Sequence, residues 1–253
     1  MSTDPRPTAY DISVSLHAAE VDAEPFDVFG AGASMKVLRR LRDGGLRSGL
    51  VTFPAGWRGG GALRAAAAVQ IFVRSGAITL AGKRLAYGGF VVVPAGAVLP
   101  ALASADGAEA IVILDDQATF EPVDGGDGAI ITEDVFAVAP IVPVINGRVL
   151  EGFERRVLWE DAATGADTRL LRVPAGFEGT GGPSFHPVEE EIFCLEGDIA
   201  PDDVTPLLPG SYLWNPRFAV HGFHEHSRTG CLLLEWHDGL WAFHRYEGVM
   251  AEV

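Results

Sequence analysis

Two histidines and one glutamate have the spacing of a metal site. His186 and Glu190 stand four residues apart and are followed by Gly197, in a His-x3-Glu-x6-Gly element, and a later Gly-x5-Pro-x4-His element ends in His221. Two neutral imidazoles and one carboxylate bind divalent zinc, iron, manganese or nickel, and they leave coordination positions open to water, dioxygen or a substrate. The spacing therefore predicts that two separate strands direct His186, Glu190 and His221 at one divalent ion.

Strand alternation predicts which side chains around these residues face inward. Alternate residues of a strand share one face. The residues expected on the inner face are Ser184, His186, Val188, Glu190 and Ile192. Glu189 and Glu191 are then expected to point to solvent. A carboxylate at Glu190 inside an apolar barrel is costly unless it is paired or metal-bound, which supports a cation at this position.

The elements that must position these ligands are short strands. Gly and Pro, with 31 and 16 copies, separate apolar runs that are rich in β-branched and aromatic residues. Examples are Phe90-Val91-Val92-Val93, Ala110-Ile111-Val112-Ile113-Leu114, Glu191-Ile192-Phe193-Cys194-Leu195 and Cys231-Leu232-Leu233-Leu234-Glu235-Trp236. Many short strands at regular spacing predict an all-β sandwich or barrel.

The chain also repeats itself at an offset of roughly 120 residues. Val37-Leu38 and Pro54-Ala55-Gly56 align without a gap with Val157-Leu158 and Pro174-Ala175-Gly176. Downstream, Gly76, Gly88 and Pro94 match Gly197, Gly210 and Pro216. We interpret the repeat as a duplication that gives two β-domains, residues 1–126 and 127–253, joined by a Gly- and Asp-rich linker at 122–128.

The two elements resemble the two motifs of the cupin family, and their duplication resembles a bicupin. The first cupin motif is roughly G-x5-H-x-H-x3-E-x6-G, and His186, Glu190 and Gly197 match its second His, its Glu and its final Gly. The second is roughly G-x5-P-x-G-x2-H-x3-N, and Gly210, Pro216 and His221 match its first Gly, its Pro and its His. The resemblance implies two tandem cupin barrels, also called double-stranded β-helices or jelly rolls, over nearly the whole chain. The cupin fold hosts many activities, so the resemblance does not choose one.

This sequence departs from the cupin pattern at the metal site. Ser184 stands at the first His of the first motif, and in the second motif Phe218 replaces the Gly and Glu225 the Asn. One interpretation is a set of His186, Glu190 and His221 completed by water, with Ser184 coordinating through that water. The other is that His224 or His226 supplies a third imidazole, although strand alternation does not favour His224.

The N-terminal copy departs further. The positions aligned with Ser184, His186, Glu190 and His221 are Leu63, Ala65, Val69 and Leu99. None of these side chains is a metal ligand. We therefore expect the first barrel to serve packing, dimerisation or the wall of a pocket.

A narrower resemblance covers the start of the second copy. Residues 158–166, running on to Leu170-Leu171-Arg172-Val173-Pro174-Ala175-Gly176, resemble the opening of the cupin half of zinc-dependent anti-sigma factors and of related stand-alone cupins. Those anti-sigma factors carry a helical metal-binding domain ahead of the cupin. No Cys/His-rich helical segment precedes the first copy here, so the anti-sigma role itself is not expected.

Composition limits the partners. The net charge of −15 argues against a broad nucleic-acid surface and against docking on anionic membranes. No basic segment followed by an apolar one opens the chain, and the only two cysteines, Cys194 and Cys231, are interpreted as buried thiols. A cytoplasmic location and, as in many cupins, a homodimer are expected.

We interpret the remaining cations and aromatic residues mainly as surface and core residues. Arg172 and Arg217 could face an anionic substrate, but their positions favour solvent-facing roles. The aromatic residues near the C-terminus are interpreted as core or domain-interface residues, with one or two flooring the pocket: Trp214, Phe218, Trp236, Trp241 and Phe243.

Three functions follow as alternatives. The first is a metal-binding bicupin of undetermined activity whose C-terminal ion, most simply Zn or Fe and otherwise Mn or Ni, binds a small molecule. With zinc it would be a non-catalytic binding or sensor module. The second is an Fe(II)-dependent dioxygenase that cleaves C–C bonds of diketones or hydroxyacetophenones. The third is a metal-free structural or ligand-binding bicupin.

Overall fold

The structure is a computed structural model that describes residues 13–115, 118–202 and 205–247. These residues form strands and two single-turn 3-10 helices, Ala18–Glu20 and Val135–Ala137, and no α-helix. Consequently, no helix in the described ranges could cross a membrane. The all-β class predicted from the sequence is confirmed.

The strands are short throughout. Those in the first part of the chain are β1 (Val14–His17), β2 (Ala23–Phe26), β3 (Ala33–Arg40), β4 (Leu46–Phe53), β5 (Trp57–Arg58), β6 (Ala62–Ala65), β7 (Val69–Gly76), β8 (Ile78–Leu80), β9 (Lys83–Leu85), β10 (Phe90–Val93), β11 (Val98–Leu99), β12 (Leu102–Ser104), β13 (Ala108–Leu114), β14 (Phe120–Val123) and β15 (Ile130–Thr132). Those in the remainder are β16 (Val144–Ile145), β17 (Arg148–Val149), β18 (Glu154–Glu160), β19 (Asp167–Val173), β20 (Phe177–Glu178), β21 (Ser184–Phe185), β22 (Glu190–Gly197), β23 (Ser211–Asn215), β24 (His226–Ser227), β25 (Cys231–His237) and β26 (His244–Arg245).

Contacts divide the described chain into two compact units. One unit is Ala18–Val138, and the other combines residues 13–17 with the chain from Ala139 onward. Strand β1 joins the sheet of the C-terminal unit, and β15 joins the sheet of the N-terminal unit. The grouping thus places 127–138 with the first unit, whereas a division into domains between residues 126 and 127 stays a prediction.

The large antiparallel sheets of the two units share the order of five strands. The order is β15-β10-β7-β13-β4-β3-β2 in the N-terminal unit and β1-β23-β22-β25-β19-β18 in the C-terminal unit. In chain order, β3, β4, β7, β10 and β13 therefore correspond to β18, β19, β22, β23 and β25. The shared topology supports the duplication read from the sequence.

One pair of repeated glycines shows why the motif requires glycine. Gly76 and Gly197 end the equivalent strands β7 and β22 with positive φ angles of 65° and 76°. A Cβ atom would lie 2.1 Å from the carbonyl oxygen of Gly107 at the first position and 1.8 Å from that of Gly230 at the second. Any larger residue would have to displace a neighbouring turn, so the Gly that closes the first cupin motif is required by the backbone.

The interior of the N-terminal unit is filled by apolar side chains. Its core includes Ala65, Val69 and Leu99, and Leu63 packs against it. These are the four residues that replace the candidate ligands, so their expected role in packing agrees with their burial.

The interior of the C-terminal unit is divided between an apolar part and a polar part. The apolar part includes Ile192, Leu213 and Leu233, together with the free, buried thiols of Cys194 and Cys231. On the same inner faces, further along β22, β23 and β25, lie Glu190, Asn215 and His237. The polar part is where the candidate ligands meet.

The run around the first motif differs from the continuous strand expected. Ser184 belongs to β21 and Glu190 begins β22, and the residues between them are not in a strand. The expectation that Glu191 points to solvent is wrong, because it is 1% exposed and accepts a hydrogen bond from the Tyr212 hydroxyl at 2.6 Å. Both faces of β22 are covered, and its neighbours opposite Glu191 are Trp236 and Trp214. The tyrosine hydroxyl is one of the partners that a buried carboxylate requires.

Candidate metal centre

His186, Glu190 and His221 converge on one point. The Nε2 atoms of the two histidines are 3.1 Å apart, and they lie 3.8 Å and 3.6 Å from Oε2 of Glu190. Ligands at about 2.0–2.1 Å from a tetrahedral ion would be roughly 3.3 Å apart. Each of the three residues offers one ligand atom. The three donor atoms therefore have the mutual spacing of ligands around a single ion.

The other ring nitrogens fix which atoms carry protons. Nδ1 of His186 lies 2.9 Å from the carbonyl oxygen of Ala242, and Nδ1 of His221 lies 3.0 Å from that of Ala219. A carbonyl oxygen only accepts, so each Nδ1 is the protonated donor, and in the neutral rings both Nε2 atoms present lone pairs. Two lone pairs and a carboxylate oxygen thus face one another, an arrangement that a cation stabilises. A metal-binding histidine commonly donates its other ring N–H to a carbonyl oxygen in this way.

Glu190 is held by three donors from other elements. Oε1 accepts from His237 Nε2 at 3.1 Å and from Trp241 Nε1 at 3.0 Å, and Oε2 accepts from Asn215 Nδ2 at 2.8 Å. His237 and Asn215 are the cross-strand neighbours of Glu190 on β25 and β23. These bonds fix the carboxylate with Oε2 towards the two histidines.

The charges around Glu190 keep it ionised. Burial alone would raise its pKa, but His186 and the hydrogen bond from His237 outweigh burial, and the pKa lies well below its usual range. Burial and Arg169 oppose the charged form of His237, yet its bonds to Asp167 and Glu190 raise its pKa. Burial lowers the pKa of His186 to about 4, against the opposing attraction of Glu190. The result is a buried carboxylate whose negative charge is stabilised by the groups around it.

A second layer of buried charges supports His237. Its Nδ1 donates to Asp167 at 2.7 Å. Arg169 donates through Nε to Glu235 at 2.9 Å and lies 3.6 Å from Asp167. All four residues come from the inner faces of β19 and β25, where they are paired in register. Because each charge has an opposite partner, this layer is a rigid support rather than an uncompensated burial.

The motif spacing did not point to His237. The alternation of β25 contains a usable signal, since Leu233, Glu235 and His237 fall on one face of a strand whose other positions are apolar. Two ionisable residues on the inner face of a buried strand need partners, which points to the polar part of the interior.

The donor atoms open onto a cavity of about 450 Å³. Its wall is mainly apolar, and the apolar lining residues include Leu150, Phe153, Leu171, Phe177, Ile192, Leu213 and Leu233. Trp241 also lines it, as expected for one of the C-terminal aromatic residues. Glu225 lies in the wall as well; burial and the nearby charges of Glu190 and Glu235 raise its pKa, against the effect of His221. The size and the few convergent polar groups suit a small organic molecule.

The residues considered for a fourth ligand lie in different places. Ser184 is buried, lines the cavity, and pairs through its backbone with His221, each amide donating to the other's carbonyl at 2.9 Å. His226 lines a separate depression, and His224 is exposed. Of the described histidines, only His186 and His221 therefore belong to the candidate metal-ligand group with Glu190. Coordination by Ser184 through water stays a prediction.

The departure at Phe218 has a visible backbone consequence. Phe218 has a φ of +64°, in the left-handed region where the family motif has Gly. Its amide donates to the carbonyl oxygen of His186 at 2.8 Å. The strained conformation is therefore retained despite the side chain, and it ties the loop before His221 to the loop that carries the first ligand.

Comparison with known proteins agrees with this fold. Residues 142–239 match the model of the ChrR cupin-like domain. A candidate dioxygenase from Nostoc punctiforme has 17% identity and a TM-score of 0.81, over 95% of this chain and 88% of that one. A search of curated protein sequences finds no significant match.

Two enzymes of known reaction share the fold at lower similarity. Salicylate 1,2-dioxygenase from Pseudoaminobacter salicylatoxidans, as its gentisate adduct, has 12% identity and a TM-score of 0.66, over 97% of this chain and 88% of that one. A variant of Bacillus subtilis oxalate decarboxylase has 12% identity and a TM-score of 0.58, over 95% and 80% of the two chains. The protein therefore has the fold of a bicupin, and its C-terminal half carries a ChrR cupin-like domain.

Proposed function

We propose that the C-terminal unit binds one divalent metal ion through His186, Glu190 and His221, and that the adjoining cavity binds a small organic molecule beside it. The observation that carries this proposal is the convergence of two Nε2 lone pairs and a carboxylate oxygen within 3.1–3.8 Å. Both ring Nδ1 atoms are already committed to carbonyl oxygens. A cation is the partner that satisfies all three donor atoms.

The protein's own residues supply orientation and shielding. A bound divalent ion would act as a Lewis acid towards an oxygen-bearing group of the small molecule. His237, Trp241 and Asn215 hold Glu190 in one orientation. The apolar wall limits the water around the open side of the site, which strengthens electrostatic interactions there. Zn and Fe are the first candidates for the ion, and Mn and Ni suit the same ligand types.

A more specific candidate is an Fe(II)-dependent dioxygenase that cleaves C–C bonds of diketones or hydroxyacetophenones. Three protein ligands leave room on the ion for a substrate and dioxygen, as in two-histidine, one-carboxylate iron sites. The cavity beside the ligands could hold a substrate of this size. Zinc in the same site would instead favour a sensor or binding module. That interpretation agrees with the resemblance to the cupin half of zinc-dependent anti-sigma factors. Homodimer formation and a cytoplasmic location stay predictions from the sequence.

The test is elemental analysis of the purified protein beside His221→Ala. We expect about one Fe, Mn, Ni or Zn per chain in the wild type and loss of that metal in the variant, because removing one of three ligands leaves too few donors. The matched control is His226→Ala, because His226 belongs to the same unit but lies outside the candidate ligand group. This variant should retain the metal. Iron would lead to oxygen-uptake assays with diketones, and zinc to ligand-binding screens.

Two results would contradict the proposal. One is a wild type without metal even after reloading with each of the four ions. The other is a His221→Ala variant with the same metal content as the wild type. The first would leave the metal-free bicupin as the function to pursue.

A further inference from the structure

Arg155 is placed in the cavity wall by the edge strand of the C-terminal sheet. Its backbone pairs with Leu171 of β19 on one side and exchanges two hydrogen bonds of 2.8 Å with Ile141 on the other. Alternation along β18 puts Arg155 on the same face as Phe153, and both line the cavity. Glu154 and Arg156, on the opposite face, pair with each other at 2.9 Å.

Among the described residues, the half-buried guanidinium of Arg155 has no ion pair of the kind that the buried Arg169 forms. Its Nε is buried and has no hydrogen-bond partner within the described ranges. Arg169, by contrast, is bound to Glu235 and lies close to Asp167. Glu235 and Asp167 attract Arg155 only at longer range, and burial together with repulsion from Arg169 lowers its pKa. A buried donor without a partner is costly, which indicates that a ligand completes the site.

Arg155 is also close to the candidate metal centre. Its Cζ lies 5.9 Å from the ring centroid of Trp241. The same indole donates to Glu190 at 3.0 Å, and its ring centroid is 4.6 Å from that of His186. A small molecule beside the ligands would therefore be within reach of the guanidinium.

We propose that Arg155 binds an anionic group, most simply a carboxylate, of the small molecule that occupies this cavity. The proposal rests on the proposed function and narrows it, because it assigns the ligand to organic acids with an apolar body. The guanidinium fork matches a carboxylate in a bidentate way. The apolar wall suits the remainder of such a molecule.

Other cations are less suited to this role. Arg148 and Arg245 also line the cavity, but both are exposed, so their attraction for an anion is screened by water. Arg172 and Arg217, which the sequence raised as cations for an anionic substrate, pair with Glu196 at 3.6 Å and with Asp238 at 2.6 Å. Neither of these two lines the cavity.

The test compares an acid with its neutral isostere. Benzoate and benzamide are titrated calorimetrically into the metal-loaded wild type, Arg155→Met and the control Arg172→Met. We expect benzoate to bind the wild type more tightly than benzamide does. Because hydrogen bonds to charged groups contribute about 1.5–3 kcal/mol, Arg155→Met should weaken benzoate binding by roughly 10- to 150-fold. Benzamide binding and the Arg172→Met variant should be nearly unchanged.

Three results would overturn the inference: wild type that binds benzoate no more tightly than benzamide, an Arg155→Met variant with the benzoate affinity of wild type, or no benzoate binding at millimolar concentration.

If Arg155→Met fails to fold, Arg155→Lys is the second variant, because it keeps the charge and loses the fork. Unchanged benzoate affinity in Arg155→Lys would be equally decisive against bidentate recognition. Metal content is measured on the same samples. Wild type that lacks metal but binds benzoate through Arg155 would refute the metal proposal alone, and metal-loaded protein without acid preference would refute this inference alone.

Discussion

The two barrels place different residues at equivalent positions of one topology. In the C-terminal unit Glu190 has His237 and Asn215 as its cross-strand neighbours, and in the N-terminal unit Val69 has Leu114 and Val93. The backbone pair Ser184 and His221 likewise corresponds to Leu63 and Leu99.

The difference extends beyond the three candidate ligands. Arg169 and Glu235 are paired across β19 and β25, and the equivalent pair across β4 and β13 is Gly49 and Val112. The Arg169–Glu235 pair that supports the candidate ligands therefore has no charged counterpart at the equivalent pair of the N-terminal unit. A cupin barrel can be stable with either interior, but a buried polar site is tolerable only as a complete network.

The largest effect on stability is expected when one candidate ligand type is introduced into the N-terminal unit without the residues that support it in the C-terminal unit. Val69→Glu puts a carboxylate at the position equivalent to Glu190, where the cross-strand neighbours are Leu114 and Val93 instead of His237 and Asn215. Burial of an unpaired carboxylate should reduce the stability of the N-terminal unit by several kcal/mol. Thermal unfolding followed by circular dichroism measures the loss.

Val69→Ala is the matched control for that change. It removes two methyl groups and should cost only roughly 2 kcal/mol. If Val69→Glu melts at the same temperature as Val69→Ala, the N-terminal interior can accommodate the charge, and the contrast between the two barrels is weaker than their residues suggest.

An intermediate effect is expected from weakening the network around a complete ligand set. Asp167→Asn removes the charge that holds His237 against Glu190. Loss of such a supporting group typically weakens metal affinity by about 10- to 100-fold. Competition with a chelator measures the affinity, and Asp161→Asn, an exposed carboxylate of the nearby turn, should leave it unchanged. Equal affinities in both variants would show that the support is not needed.

The same variant predicts a pH effect of known sign. Burial raises the pKa of Asp167, but the hydrogen bond from His237 and the nearby charges outweigh it, so the pKa lies below its ordinary value. Its contribution to stability is complete above the unfolded value of about 3.9 and is lost as the pH falls through the lower folded value. The difference in unfolding free energy between wild type and Asp167→Asn should shrink over that acidic range. A difference that is constant with pH would contradict this assignment.

The smallest effect concerns the apolar part of the C-terminal interior. Burial raises the pKa of Cys194 to about 12 and also raises that of Cys231. Both thiols should remain unmodified by iodoacetamide near pH 8 in the folded protein and react once urea unfolds it. Mass spectrometry measures the reaction, with fully denatured protein as the control. Rapid alkylation of the folded protein would show that this unit opens more readily than its packing indicates.

Several features could be read from the sequence because they depend on spacing along one chain. The short strands, the duplication and the alignment of His186, Glu190 and His221 with cupin motifs all follow from local patterns. Gly197 belongs to this group, since a close backbone approach excludes every larger residue there. The loss of ligands at Ala65, Val69 and Leu99 was visible in the same way.

The tertiary structure decided the features that depend on which strands become neighbours. His237 supports Glu190 because β25 lies beside β22, and Tyr212 donates to the buried Glu191 because β23 lies on the other side. Arg155 faces the cavity because β18 forms the sheet edge next to β19. These pairings join residues that are distant in sequence, and no local period encodes them. The sequence by itself determined the barrels and the candidate ligands, whereas the long-range packing of strands decided which residues become the partners of the buried charges.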